Sequence, residues 1–281
     1  MDTITLEPFG QDIVFGEGMR WHGGRIWLSD MLGRKVLAYR EDGSREVMAE
    51  VPPRPNGLGF LPDGRLLITS MADCRLLRLE PDGALTLHAD LGALMTGYCG
   101  DMAVDSLGNA YVDDVGFRVF EGDSRRPGRL IQVAPDGQAR IVDEGLMFPN
   151  GMWLTRDETR LVVAEGRARV LHVYDRAADG TLSNRRPFAQ LDYEVIDGLT
   201  LDAEGAAWVC IPHDHQLLRV EEGGRITHRV DLGDWKPIAC CLGGADLRTL
   251  YLVSADYDLD RMARDDTRAV LHRGRVEVPG F

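Results

Sequence analysis

The 281-residue sequence has no apolar run long enough to cross a bilayer, and its first residues form neither a basic segment nor a continuous apolar one. These absences argue against a membrane span and a secretory signal, so we expect a cytoplasmic protein with no membrane partner. Basic residues are in the minority, because 32 Lys and Arg stand against 45 Asp and Glu and give a net charge of −13. Nucleic-acid binders need clustered positive charge, so no nucleic-acid partner is expected.

Cysteine is also scarce and unpatterned. The five cysteines are an odd number and show no Cys-x-x-Cys spacing. This arrangement disfavours both a disulfide framework and a zinc-finger site. Buried free thiols are the expected state of these residues.

Long helical periodicity is nearly absent, and one phrase recurs six times instead. Each copy has a short polar start, an alternating apolar run, a turn around Asp-x-x-Gly or Pro-Asp-Gly, and a second alternating run. Alternation predicts half-buried strands, and the turn residues are those of tight hairpins. The copies start at Glu17, Asn56, Gly100, Asn150, Asp197 and Cys241.

Repeats of this length, with up to four short strands each, predict an all-β fold. The expected architecture is a six-bladed β-propeller with four-stranded antiparallel blades around a central channel. The N-terminal run "ITLEPFGQDIVF", which begins at Ile4, is expected to complete the last blade and close the ring. No linker-like segment interrupts the pattern, so residues 1–281 are predicted to form a single domain.

The first strand of a propeller blade lines the channel, so the polar starts of the copies should meet at one mouth. Carboxylates held close raise one another's pKa, and a hard divalent cation removes that cost. The alternative is that Asn-Gly and Asp-Gly are only turn formers. Because Glu17, Asn150 and Asp197 share one repeat phase, we favour one divalent metal ion at these three residues. Its identity stays open among Ca²⁺, Zn²⁺, Mn²⁺, Mg²⁺ and Fe²⁺.

The links that follow the second strands return to the same mouth, where apolar and polar side chains should mix around a ligand. Arg20 is also expected there, whereas the arginine-rich run Asp123–Arg129 is expected to be a solvated loop. At least one histidine of His213–His215 is expected on the surface. The residues predicted to contact the ligand are Met31, Asn56, Met71, Tyr98, Gly100, Asp101, Phe117 and His213.

Three motifs carry a resemblance to a known family. They are "GEGMRW" at Gly16–Trp21, "FPNGMWLTRDETRLVVAE" at Phe148–Glu165 and "IDGLTLDAEGAAWV" at Ile196–Val209. In this order they resemble the regucalcin/gluconolactonase family of six-bladed propeller lactonases, and the likeness covers almost the whole chain. Diisopropylfluorophosphatase and paraoxonase have related propellers.

The resemblance implies one divalent metal on the axis, held by a Glu, an Asn and an Asp that match Glu17, Asn150 and Asp197 here. It also implies hydrolysis of a lactone of a sugar acid or of another small cyclic ester. The metal would polarise the ester carbonyl, and Asp197 would accept a proton from the attacking water or attack directly. The expected partner is a small lactone, and the protein is expected to be a monomer or a weak homodimer.

The third copy departs from the family pattern. Gly100-Asp101 stands where members commonly have Asn-Asp, and that Asn touches the metal, its water or the substrate. We expect Gly100 to leave space beside the metal, so that a bulkier, less hydroxylated lactone fits as well as a sugar-acid lactone. Of Asp113 and Asp114, only one is expected to face this mouth. A phosphotriesterase-like hydrolase and a propeller that binds metal or ligand without turnover remain as alternatives.

Overall fold

The computed structural model describes residues 4–281 and contains six four-stranded antiparallel sheets. This arrangement confirms the predicted six-bladed propeller. Helical segments in the described chain are short: α1 (Leu259–Ala263) and two 3-10 turns (Val119–Glu121 and Pro212–Asp214). Within residues 4–281, no helix combines the length and the hydropathy that a membrane crossing requires.

The strands follow one another blade by blade. Strand β1 (Glu7–Ile13) precedes the first blade, which contains β2 (Gly16–His22), β3 (Arg25–Asp30), β4 (Lys35–Tyr39) and β5 (Arg45–Glu50). The second blade contains β6 (Pro55–Phe60), β7 (Leu66–Ser70), β8 (Arg75–Leu79) and β9 (Leu85–Asp90). The third contains β10 (Cys99–Val104), β11 (Ala110–Asp114), β12 (Gly128–Val133) and β13 (Ala139–Leu146).

The remaining blades keep the same order. The fourth contains β14 (Pro149–Leu154), β15 (Arg160–Glu165), β16 (Val170–Arg176) and β17 (Leu182–Gln190). The fifth contains β18 (Leu199–Leu201), β19 (Ala207–Ile211), β20 (Gln216–Val220) and β21 (Ile226–Asp231). The sixth contains β22 (Lys236–Gly243), β23 (Thr249–Asp256) and β24 (Arg268–Arg275), and β1 completes it.

The first strands of the six blades form the inner ring. Each of β2, β6, β10, β14, β18 and β22 contacts the first strand of the next blade, and β22 contacts β2. The predicted start of the sixth copy is wrong, because β22 begins at Lys236 and not at Cys241. The Lys-Pro start of this strand does not match the polar-Gly start of the other copies, and Cys241 lies buried further along it.

The ring is closed by the N-terminal strand, as predicted. Strand β1 pairs antiparallel with β24 at the outer edge of the sixth blade, with Pro8 opposite His272 and Ile13 opposite Ala269. Antiparallel pairing of segments from the two ends of the chain protects an edge that would otherwise be free to pair with another molecule.

The hairpin turns at the ends of the inner strands have the predicted chemistry. Asp63 Oδ1 accepts the backbone N–H of Arg65 at 3.0 Å, and Asp202 Oδ1 accepts that of Glu204 at 3.0 Å. An aspartate that hydrogen-bonds the backbone two residues ahead forms an Asx turn, which fixes the hairpin. All of these turns lie at the ends opposite to the polar starts.

The core consists of apolar clusters between neighbouring blades. One cluster joins Val36 of the first blade to Leu58 and Ile68 of the second. All five cysteines are buried and free, which confirms their predicted state.

Candidate active site

The polar starts of the inner strands surround a cavity of about 430 Å³. Every residue predicted for metal binding, reaction or substrate contact lines this cavity, although their roles remain predictions. These residues are Glu17, Met31, Asn56, Met71, Tyr98, Gly100, Asp101, Phe117, Asn150, Asp197 and His213. Repeat phase was therefore sufficient to bring them together.

A β-bulge or similar irregularity lies at the start of the inner strands β2, β6, β10 and β14 and aims their polar side chains. The pairing register shifts between Glu17 and Arg20, between Pro55 and Leu58, between Cys99 and Met102, and between Pro149 and Met152. A bulge bends the strand and redirects its side chains. In these four blades the irregularity turns the polar start toward the cavity, whereas Asp197 precedes β18, which pairs with β19 without a register shift.

The glycines that follow two of these residues are required by packing and not by turns. Gly57 and Gly151 lie within strands β6 and β14. A Cβ on Gly57 would lie 2.7 Å from Asp101 Cα, and one on Gly151 would lie 2.5 Å from the backbone nitrogen of Leu199. Each glycine thus lets its strand approach the next blade. The interpretation of these Asn-Gly pairs as turn formers is wrong.

Two carboxylates at the cavity floor are held in an unfavourable environment. Asp197 is 8 % exposed, and its Oδ1 has no hydrogen-bond partner. Burial raises the pKa of Asp197 to about 7; a hydrogen bond from the Asn150 amide opposes this rise, and the charge of Asp101 adds to it. Burial, and then the charges of Asp197, Asp101 and Asp113, raise the pKa of Glu17 well above its usual range. Within residues 4–281 neither carboxylate has a cationic ion-pair partner.

Asp101, by contrast, is neutralised by Arg20. The Nη2 of Arg20 lies 3.1 Å from Asp101 Oδ1 and also donates to the carbonyl of Met102. The guanidinium carbon lies 4.8 Å from the centre of the Trp153 ring. Arg20 is buried among these groups and does not line the cavity, so its predicted place at the mouth is wrong. The ion pair draws it into the wall between blades.

The third blade differs from the expectation in one important respect. A Cβ at Gly100 would lie 2.1 Å from Asp113 Oδ1, so the space beside Gly100 is already filled by a carboxylate. The expectation that Gly100 leaves an opening is therefore wrong. Asp113 lines the cavity, whereas Asp114 turns away and accepts the backbone N–H groups of Thr96 and Gly97. This confirms that only one of the two aspartates faces the cavity.

Three basic residues of the cavity wall are missing from the prediction. Arg125 belongs to the run Asp123–Arg129, which was expected to be a solvated loop and is mostly exposed, and it also lines the cavity with Arg167 and Lys236. Arg167 lies in the link after β15, so strand parity could have identified it. Lys236 was missed because the start of β22 was misplaced, and no local signal marks Arg125.

The link between β19 and β20 separates its two histidines. His213 lines the cavity, and His215 does not. His215 has a φ of 57° and ends the 3-10 turn Pro212–Asp214, which directs it away from its neighbour. At least one of the two histidines was expected on the surface, and His213 is exposed at the cavity, which confirms this expectation.

The remaining wall is mainly apolar. Such a surface favours a ligand with substantial apolar area over one covered with hydroxyl groups. The apolar residues beyond those predicted are Phe15, Val115, Val119, Phe120, Phe148, Pro149, Val195, Leu259 and Met262.

Comparison with known proteins gives a consistent result. The family described as "SMP-30/Gluconolactonase/LRE-like region" matches residues 15–256. A pentonolactonase of Haloferax volcanii is 30% identical to this chain, and the match covers 66% of this chain and 68% of the relative. A 6-deoxy-6-sulfogluconolactonase of Pseudomonas putida is 27% identical, and the match covers 96% of this chain and 94% of the relative. The crystal structure of regucalcin from Agrobacterium tumefaciens, described as a calcium-binding protein, superimposes with a TM-score of 0.81 at 21% identity, covering 98% of this chain and 93% of its own. The chain belongs to the SMP-30/gluconolactonase/LRE-like family.

Proposed function

We propose that this protein hydrolyses lactones at a divalent-metal centre held by Glu17, Asn150 and Asp197. The observation that carries the proposal is the buried, unpartnered Oδ1 of Asp197 in a cavity that Glu17 and Asn150 also line. The names of the pentonolactonase and sulfogluconolactonase relatives support the substrate class. The calcium-binding description of the regucalcin structure supports a divalent metal.

The residues present fit such an ion. Two carboxylates and one amide offer hard oxygen ligands, and the cavity floor has excess negative charge that a cation would neutralise. No three His, Cys, Asp or Glu side chains between residues 4 and 281 form a metal-binding group by themselves. The proposed set contains only two such side chains, and the Asn150 amide is its third member.

A bound divalent cation supplies a Lewis acid that polarises an ester carbonyl. Asp197 acts as the general base and accepts a proton from the attacking water. The amide of Asn150, which opposes the rise in the pKa of Asp197, would orient this carboxylate. Glu17 is an anchor for the metal and has no ion-pair partner among residues 4–281. The apolar wall limits the access of bulk water and favours a bulkier, less hydroxylated lactone over a simple sugar lactone.

The test combines metal analysis with a substrate panel. Protein purified with and without chelator is assayed for bound metal and for proton release from several lactones, each with Ca²⁺, Zn²⁺, Mn²⁺, Mg²⁺ or Fe²⁺ added. We expect chelation to abolish turnover and one or more ions to restore it. Metal binding without turnover of any lactone would support the non-catalytic alternative, and hydrolysis of phosphotriesters alone would support the phosphotriesterase alternative. Absence of metal binding would overturn the proposed centre.

A further inference from the structure

Three basic side chains line the cavity that also holds the acidic floor. Lys236 is occupied, because its Nζ donates to the carbonyl of Tyr257 at 2.8 Å and lies 4.7 Å from the Tyr257 ring centre. Arg125 and Arg167 form no ion pair with any carboxylate of residues 4–281. Arg125 is exposed and Arg167 is half-buried, and both face a largely apolar cavity without a carboxylate partner.

Arg167 is the more constrained of the two. Its Nε is buried and has no hydrogen-bond acceptor, and its guanidinium carbon lies 5.6 Å from the centre of the Phe148 ring. Its backbone N–H donates to the carbonyl of Met147 at 3.2 Å, which fixes the start of the side chain. Burial and then the positive charge of Arg125 lower the pKa of Arg167. The charge of Glu194, which also lines the cavity, opposes this lowering of the Arg167 pKa, but Glu194 forms no ion pair with either arginine.

We infer that Arg125 and Arg167 form a subsite for an anionic substituent of the substrate, remote from the ester that is hydrolysed. The inference rests on the proposed function and narrows its substrate class to lactones that carry a carboxylate, sulfonate or phosphate group. Guanidinium groups match such anions because they donate parallel hydrogen bonds to two oxygens.

The charges of the cavity also orient this substrate. Glu17 and Asp197 at the floor repel an anion, whereas Arg125 and Arg167 attract it. Tyr257 lines the same cavity, and its pKa is raised by burial and by the charges of Asp197 and Glu17 and lowered by the charge of Arg167. A lactone that places its anionic end on the arginines leaves its ester directed toward the acidic floor.

The first test uses a matched pair of lactones, one with a free carboxylate and the other with the same carboxylate as its methyl ester. We expect the wild type to prefer the carboxylate in kcat/KM, mainly through KM. Arg167→Ala should reduce this preference about 10- to 100-fold, and Arg125→Ala should reduce it less because Arg125 is more exposed. Arg156→Ala is the control, since it removes the same charge from an exposed turn at the opposite end of β14. Equal losses for both lactones, or no preference in the wild type, would overturn the subsite.

A second measurement separates the subsite from the chemistry. Binding of the corresponding lactams, which resist hydrolysis, is measured by calorimetry for the carboxylate and its methyl ester. Tighter binding of the carboxylate, lost in the double variant Arg125→Ala/Arg167→Ala, supports the subsite even if no lactone is turned over. Equal binding of both lactams rejects the subsite, and turnover of the neutral lactone would then leave the proposed function intact.

The third blade carries an independent feature. Asp113 is 1 % exposed, its Oδ2 accepts the backbone N–H of Asp101 at 2.9 Å, and its Oδ1 has no partner. This unpartnered Oδ1 lies 2.1 Å from the position that the Cβ of a side chain at position 100 would take, which is too close for both atoms. Gly100 on β10 and Asp113 on β11 are therefore mutually dependent, because a larger residue at one position needs a smaller one at the other.

We propose that Asp113 is the polar group that the third blade presents to the substrate in place of a side chain at position 100. Burial and the charge of Asp101 raise the pKa of Asp113 well above its usual range. A substrate hydroxyl both donates and accepts, so it can pair with this carboxyl group in either protonation state. Asp113 thus acts as a specificity-determining residue for the proposed reaction.

Exchange of the two residues tests this dependence. Gly100→Asn should lower the melting temperature, because the new Cβ displaces a buried carboxylate, and Gly100→Asn/Asp113→Gly should recover much of the loss. For activity, Asp113→Ala should reduce the preference for a hydroxylated lactone over its deoxy analogue by about tenfold. Equal melting temperatures of the single and double variants would reject the mutual dependence. An unchanged preference in Asp113→Ala would reject the role in specificity.

Discussion

The two ends of one inner hairpin show what distinguishes a structural aspartate from a functional one. Asp202, in the turn between β18 and β19, accepts the backbone N–H groups of Glu204 and Ala206 at 3.0 and 3.1 Å. Its second oxygen accepts Arg219 Nε at 2.7 Å. Asp197, just before β18, is similarly buried, yet its Oδ1 has no partner.

The comparison teaches that burial by itself does not identify a site. A buried carboxylate with its full set of partners stabilises the fold, whereas a buried carboxylate without partners destabilises it. Buried polar groups that have no hydrogen-bond partner in a folded protein indicate a functional role, such as binding a ligand that supplies the missing partner. The cavity end of the propeller has several such groups, and the turn at the other end satisfies its aspartate.

The strongest test of this contrast is Asp197→Asn. Removal of the general base should reduce kcat by about 10²- to 10⁴-fold. The melting temperature in the presence of chelator should stay the same or rise, because an uncompensated buried charge is lost. Steady-state kinetics and thermal melting check the two expectations. A variant that melts well below the wild type in chelator would mean that Asp197 has a structural role like that of Asp202.

Asp202→Ala should give the opposite result. It leaves Arg219 without its closest buried partner and removes two turn hydrogen bonds, so the free energy of unfolding should fall by about 3–5 kcal/mol. Chemical denaturation measures this loss. Activity per folded molecule, corrected by active-site titration with metal, should match the wild type. A large loss of turnover in fully folded Asp202→Ala would contradict the assignment of this end to stability.

Metal removal tests the same contrast without a mutation. A ligand that binds only the folded state adds about 2.7 kcal/mol at 100 times its dissociation constant. The melting temperature of wild-type protein should therefore rise on addition of the activating ion and fall with chelator. Asp197→Asn should lose most of this response, whereas Asp202→Ala should keep it. An equal response of both variants would place the stabilising ion outside the proposed centre.

The smallest effect is expected for Asp157→Ala, in the exposed turn between β14 and β15. Asp157 Oδ1 accepts the backbone N–H of Thr159 at 3.1 Å and the hydroxyl of Thr155 at 2.7 Å. Loss of these exposed bonds should lower the free energy of unfolding by about 1 kcal/mol. Denaturant melts measure the change, and lactone turnover should not differ from that of the wild type. A change in KM would show that this turn communicates with the cavity.

Much of the site was predictable because the polar residues stand at the same position in each repeat. Glu17, Asn150 and Asp197 occupy equivalent places in their copies, and ring geometry alone brings equivalent places to one mouth. Arg125 was not predictable in this way, because it lies in the long link between β11 and β12, outside the repeated phrase. Arg20 was misplaced because a bulge and a partner on another blade, Asp101, decide the direction of its side chain.

The sequence by itself determined the number of blades, the strand that closes them and the polar residues that meet at the channel mouth. Alternation, turn residues and repeat spacing are local properties, so each can be recognised without knowledge of distant contacts. Only the tertiary structure decided that Asp113 fills the place beside Gly100 and that Arg125 joins Arg167 at the cavity wall. These contacts join neighbouring strands or separate blades, and no local pattern encodes a distance between side chains that the fold alone brings together.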